Sequence, residues 1–199
     1  KADQIRDDAA ARGTVMHRII EGFVTGEGHV DLSPMGQAAG LMAQIVFKQG
    51  LKGYMDEVWG SEITLYYPDL YAGATDLVGI YEGRESIIDF KQSNKIKKRE
   101  WIEDYFTQLA AYAMAHNYVY GTKIQSGVIL MCTKNNYFQK HTDLTDSQVL
   151  ENACLEFDNL VNQLRLHGIP VNVFQDDLVH DTPDSVFPNN LPTGSIVFV

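Results

Sequence analysis

Residues 75–92 read TDLVGIYEGRESIIDFKQ and hold two acids and a lysine, Asp76, Asp89 and Lys91, around a short turn. Side chains alternate along a strand, so Asp89 and Lys91 share one face while Ile88 and Phe90 take the other. With Gly83 and Arg84 as the two turn residues, Asp76 stands opposite Lys91 and Val78 opposite Asp89. The two acids are then diagonal neighbours, about 7–8 Å apart. Carboxylates held that close repel unless a proton or a cation lies between them, and oxygen ligands of this kind suit a hard ion such as Mg2+ or Mn2+. A lysine beside such an ion can help deprotonate a water or neutralise charge growing on a phosphate. An exposed Asp–Lys cross-strand pair with nothing bound uses the same residues and is worth little energy. The hairpin alone leaves both readings open.

Composition narrows the field. With 16 basic and 26 acidic residues the formal charge of the 199-residue chain is −10, which argues against coating nucleic acid by bulk electrostatics. Any phosphate contact has to be local or metal-mediated. The one basic cluster, Lys91, Lys95, Lys97, Lys98 and Arg99, directly follows the hairpin, and by itself it reads equally as a solvated loop. Cys132 and Cys154 are too few for an all-cysteine metal site or a disulfide framework, and are expected to be small core residues. The start, KADQIRDD, lacks the apolar segment of a secretion signal, and no run of about 18 apolar residues exists, so no membrane span is expected. A cytoplasmic setting follows, that of the host cell if the chain is phage-encoded, with a mitochondrial one left open.

The elements that must position these residues are legible from periodicity. Residues 7–24 predict a helix entered through Asp7 or Asp8, with Val15, Met16, Ile19, Ile20 and Phe23 as its apolar stripe and His17 on the edge. A second helix is expected over 36–53, bounded by Gly36 and Gly53, with Leu41, Ile45 and Val46 inward. From Val58 to Lys91 the period falls to two, which predicts three antiparallel strands. A helix over about 101–119, with Ile102, Tyr105, Phe106, Leu109 and Ala113 on its core face, leads into KIQSGVILMCT, a buried strand that joins the sheet in parallel. YFQKHTDL reads as an edge strand. Thr145 with Gln148 makes a capping box for a last helix to about residue 167. The order α, α, β, β, β, α, β, β, α predicts an α+β or mixed α/β fold in a single domain over 1–169. Residues 170–199, interrupted by prolines, form an extension that reads as an arm, an edge strand or a subunit contact.

Four stretches, RGTVMH, GATD, IDFK and QLAAY, occur in this order over about residues 9–135. Together they resemble the RecB-like branch of the PD-(D/E)XK nucleases, most of all the mitochondrial genome maintenance exonucleases and related phage exonucleases. The resemblance implies a restriction-endonuclease-like core, a central mixed β-sheet flanked by helices. It matches Asp76 to the motif acid, Asp89 and Lys91 to the acid-x-Lys pair, His17 to the histidine of the first helix, and Gln108 with Tyr112 to the motif after the core strands. It implies that Asp76, Asp89, His17 and the backbone carbonyl of Phe90 hold Mg2+ or Mn2+, that Lys91 activates a water, and that Gln108 and Tyr112 position substrate or lysine. The substrate it implies is DNA, single-stranded with a free end. An endonuclease, or a nuclease-like module that binds nucleic acid without cutting it, would share the same core.

The physical reading of the outlying residues agrees. Gly13 lies one turn before His17, so the helix backbone can approach the sheet while the imidazole reaches the acids. Glu62 is a further metal ligand only if the first hairpin has a three-residue turn or a bulge, because a two-residue turn at Pro68-Asp69 sets Ser61 against Asp76. Gln92 stands where many relatives have Thr, which alters the hydrogen bonding around the site and removes no ligand. The acidic composition favours a narrow channel, with Lys95, Lys97, Lys98 and Arg99 following the phosphates of one strand and Trp101 or Tyr105 stacking on bases. Both aromatic residues read equally as core.

Overall fold

The computed structural model describes residues 2–67 and 71–143, with single positions between 155 and 168. Two helices, α1 (Ala2–Thr25) and α2 (Pro34–Val46), precede three strands, β1 (Met55–Tyr67), β2 (Tyr71–Tyr81) and β3 (Arg84–Ser93). Helix α3 (Glu103–Tyr120) then crosses to β4 (Ser126–Thr133), and β5 (Phe138–Asp143) follows. The five strands form one mixed sheet in the order β1-β2-β3-β4-β5, antiparallel except for the parallel β3–β4 pair. This is the expected α+β architecture, a central mixed sheet flanked by helices. The extension over 170–199, Cys154 and the capping box at 145–148 lie outside the described residues, as does most of the helix expected to about 167. Among the described residues no helix is long and apolar enough to cross a membrane.

Each face of the sheet carries its own core. Ile87, Val78 and Ile129 pack with Ile102, Phe106 and Leu109 under α3. Leu77, Ile88, Phe90, Val128 and Leu130 pack with Met16, Ile20, Met42 and Val46 under α1 and α2, and Cys132 belongs to this second core. Tyr81 ties the second core to a π-helical turn, Phe47–Leu51, by donating its hydroxyl to the Gly50 carbonyl at 2.7 Å. Gly50 is packed so closely that an added Cβ would lie 2.9 Å from Leu130.

Three helix expectations need correction. Helix α1 begins at Ala2, not at Asp7 or Asp8, because ADQIRDDAAAR holds no breaker and the two acids are tolerated inside it. Helix α2 is capped by the Ser33 hydroxyl, which accepts from the Gly36 N–H at 3.0 Å, with Pro34 at its first position, so Gly36 lies inside the helix. Its buried stripe is Ala39, Met42, Ala43 and Val46, at helical spacing, while Leu41 points outward and is 54% exposed.

Two turns set the registers that matter. Tyr81 pairs with Arg84, so the β2–β3 turn is Glu82-Gly83, not Gly83-Arg84. Both turn residues have left-handed φ, 49° and 76°, as the tight hairpin turn requires. The pairs Val78–Ile87 and Leu77–Ile88 follow, and the same register carried on places Asp76 across from Asp89 instead of Lys91. In the first hairpin Tyr67 pairs with Tyr71, which leaves a three-residue connection, 68–70, outside the described residues. The pairs Ser61–Leu77 and Ile63–Thr75 therefore bracket Glu62 and Asp76, and Glu62 joins the acids.

Gly79 sits in β2 against the irregular start of β1, where an added Cβ would run into the Glu57 carbonyl oxygen. Gly79→Ala is expected to destabilise the fold on the order of 2 kcal/mol or more, read from urea denaturation midpoints. An unchanged midpoint would contradict the packing described.

Candidate functional site

The site lies where the sheet forks. The β2–β3 ladder ends at Leu77–Ile88, whereas β2 stays paired with β1 as far as Tyr71 and β3 with β4 as far as Ser93. Beyond the fork, the Phe90 N–H and C=O face the side that β2 has left, and side chains satisfy both. The Phe90 N–H donates to Asp76 Oδ2 at 2.6 Å, and His17 Nε2 donates to the Phe90 carbonyl at 2.7 Å. The other imidazole nitrogen, Nδ1, lies 3.4 Å from Asp76 Oδ1. His17, Asp76 and the Phe90 backbone thus meet at one point, each brought by a different element.

Asp89 and Lys91 face α3, as strand alternation predicts. Lys91 Nζ donates to Asp89 Oδ1 at 2.8 Å. It also lies 2.7 Å from Asp89 Oδ2, so the ammonium straddles both oxygens of this buried carboxylate. On the other side Lys91 Nζ is 3.5 Å from Gln108 Oε1, and Gln108 Nε2 donates to the Tyr112 hydroxyl at 2.9 Å. The Tyr105 ring covers the ammonium at 5.1 Å. Glu62, with an unusual left-handed φ of 52° for a strand residue, completes the group. One ligand atom each from His17, Glu62 and Asp76 can lie within 4.8 Å of one another. His17, Glu62, Asp76, Asp89, Lys91 and Gln108 all line a single cleft of about 330 Å3.

The electrostatics are those of an anionic cluster short of positive charge. Burial opposes a charge on His17, but the hydrogen bond and charge of Asp76 outweigh it and raise its pKa to about 9. Glu62 is raised to about 7, first by desolvation and then by Asp76. Burial and the Asp76 charge push Asp89 up, while His17, Lys91 and the Phe90 N–H overcome burial to hold Asp76 down. Asp89 and Asp76 outweigh burial at Lys91 and raise it, so it stands as an ammonium. Carboxylate oxygens, an imidazole nitrogen and a backbone carbonyl are together a donor set that fits a hard divalent cation.

Lys95, Lys97, Lys98, Arg99 and Trp101 lie outside the lining of the cleft, on the segment between β3 and α3. The Trp101 ring is 52% exposed, with Lys95 and Lys98 ammoniums 5.6 and 5.5 Å from its centroid. Trp101 is therefore a surface residue, while Tyr105 is half-buried. Arg99 stacks on Phe106 at 3.9 Å. The Lys97 backbone exchanges hydrogen bonds with the Gln139 side chain at 2.9 and 3.0 Å. Gly13 does bring the helix close to the sheet, since an added Cβ would lie 3.3 Å from Gln92 Cγ. The contacts of Arg12 with Gln92 and Asn94 had no signal in the sequence, because they join positions about 80 residues apart.

The comparisons with known proteins address the fold. A crystal structure of a candidate exonuclease from Eubacterium rectale superimposes with a TM-score of 0.55 at 15% identity, covering 93% of this chain and 77% of that one. At that identity the likeness is one of fold. The structure of SSO0001 matches with a TM-score of 0.38 at 14% identity over 74% of this chain and 84% of its own, which is too loose to argue from. A family model for eukaryotic N,N dimethylarginine dimethylhydrolase matches residues 128–195. That span is about a third of the chain, starts within β4 and contains none of the cleft residues named above. Among curated protein sequences none matches the chain.

The raised groups set a pH dependence. A group whose folded pKa exceeds its unfolded value stabilises fully below the unfolded value and loses that contribution as pH rises through the folded one. For Glu62 the loss runs from 4.5 to about 7 and for His17 from 6.5 to about 9, while Asp89 adds a loss starting above 3.8. Asp76, held low, contributes a constant amount in this range. His116 and His141, lowered by burial, act in the opposite sense below about pH 6.5, so the contribution of Glu62 is read as a difference: the melting temperature of Glu62→Gln in chelator, relative to wild type, is expected to rise between about pH 5 and pH 7. A difference that does not change with pH would contradict this charge assignment.

Proposed function

We propose that the chain is a metal-dependent deoxyribonuclease of the RecB-like PD-(D/E)XK type that degrades single-stranded DNA from a free end. The observation that carries the reading is the fork. It gathers Asp76, Glu62, His17 and the Phe90 carbonyl around one point, with Asp89 and the Lys91 ammonium paired to it lining the same cleft. The fold likeness to a candidate exonuclease supports it from a separate direction.

In this reading His17, Glu62, Asp76, Asp89 and the Phe90 carbonyl hold Mg2+ or Mn2+. When bound, such an ion polarises the scissile phosphate and lowers the pKa of a water. Lys91, an ammonium, donates to the attacking water or to a phosphate oxygen and compensates the negative charge that develops there. Gln108, held by Tyr112, keeps Lys91 aimed into the cleft. Lys95, Lys98 and Trp101, with Lys97 and Arg99, offer phosphate contacts and a stacking platform for one strand beyond the cleft. A net charge of −10 leaves little basic surface for gripping a duplex, which favours a single strand.

The test is incubation of end-labelled linear and circular DNA, single-stranded and duplex, with Mg2+, Mn2+ or chelator. Linear single strands are expected to be shortened only with metal, and Asp89→Ala and Lys91→Ala to be slower by on the order of 100-fold or more. Cleavage of circles would move the reading to an endonuclease on the same core. Inertness of the wild-type protein toward every substrate would overturn it in favour of a binding module.

A further inference from the structure

Beside the cleft stands a further cation, Arg12, that no carboxylate among the described residues answers. Arg12 precedes His17 by five residues on α1, about 7.5 Å along the helix axis. Its Nε and Nη2 donate to Gln92 Oε1 at 3.2 and 2.8 Å, and Nη2 donates also to Asn94 Oδ1 at 3.0 Å. A guanidinium can only donate, so the amide atoms that face it have to be the two oxygens. The NH2 groups of Gln92 and Asn94 are consequently turned away from Arg12.

Among the described residues none of the hydrogen bonds involves those two NH2 groups or Arg12 Nη1, and Arg12 makes no ion pair. Gln92 lines the same cleft as Asp76, Asp89 and Lys91. A partly buried guanidinium held by neutral oxygens, in a chain with ten more acids than bases, leaves unspent charge and donors next to the anionic centre. Planar donor arrays of this kind match phosphate oxygens. Gln92 follows Lys91 on β3, one strand residue further from Asp89 and on the opposite strand face, toward α1. A phosphate reaching it would be a neighbour of the one at the metal, not the same one.

We propose that Arg12, Gln92 and Asn94 form a seat for the phosphate next to the scissile phosphate. The proposal rests on the nuclease reading for the identity of its ligand. Arg12 supplies charge and holds both amides with their NH2 groups toward the strand, and Gln92 contacts a non-bridging oxygen. The seat would fix how far the strand advances into the cleft before each cut.

The experiment uses linear single-stranded oligonucleotides in which one phosphate at a time is replaced by a neutral methylphosphonate. In the wild-type protein, neutralising one phosphate adjacent to the cut is expected to raise KM by about tenfold or more, with kcat nearly unchanged. Arg12→Gln is expected to raise KM on unmodified DNA by a similar factor and to be indifferent to that methylphosphonate, and Arg12→Lys to recover part of the loss. Additive penalties, or a wild-type KM insensitive to every neighbouring phosphate, would overturn the seat and leave Arg12 as a brace between α1 and β3. The same oligonucleotides are bound to Asp89→Ala, with and without Arg12→Gln, and read by fluorescence anisotropy. Binding that depends on Arg12 and on one phosphate, in a protein that cuts nothing, would uphold the seat while overturning the nuclease. Cleavage with no such dependence would do the reverse.

Discussion

The parting of β2 from β3 after Leu77 and Ile88 is the constraint on which the rest of the site depends. Strands that leave a ladder expose backbone donors and acceptors that have to be paired again. Here the Phe90 N–H and C=O are met by Asp76 and His17, so backbone satisfaction and the gathering of charged side chains are the same event. Both strands remain anchored on their outer sides, β2 to β1 and β3 to β4, which sets the two edges of the opening. The cores on the two faces hold α1 and α3 over it, and each helix delivers one polar residue, His17 from one side and Gln108 from the other.

The cost of this arrangement is electrostatic. Three carboxyl groups share a cleft with one ammonium and one imidazole, and the metal-free protein answers by keeping protons on His17 and drawing them toward Glu62 and Asp89. A stabilising role alone would be better served by apolar side chains, since buried charges recover their desolvation only when well paired. The left-handed Glu62 is a further local cost, one of backbone conformation, that a purely structural hairpin has no reason to carry. A divalent cation would relieve the repulsion among the carboxylates.

Much of this was legible in the sequence. Period-two alternation placed Asp89 and Lys91 on one face, and the crossover through α3 required β4 to run parallel to β3. The turn residues were harder: Gly83 marks the turn, but only the pairing shows that Glu82, also left-handed, shares it, and one residue of register decides whether Asp76 faces Lys91 or Asp89. Glu62 depended in the same way on a connection one residue longer than the shortest. Helix ends were misplaced where acids and glycines that can cap were interior residues instead, as at Asp7, Asp8 and Gly36. Arg12 lies within the RGTVMH stretch, yet its meeting with Gln92 comes from tertiary packing that no local pattern records.

The central claim is that the forked strands build a cation site. Anomalous scattering from crystals grown with Mn2+ tests it without reference to any reaction. The account predicts a peak in the cleft about 2–2.6 Å from carboxylate oxygens of Asp76 and Asp89, with His17 turned from the Phe90 carbonyl or joined to the ion. A cleft without a peak in the presence of Mn2+, with His17 still bonded to Phe90, would contradict it.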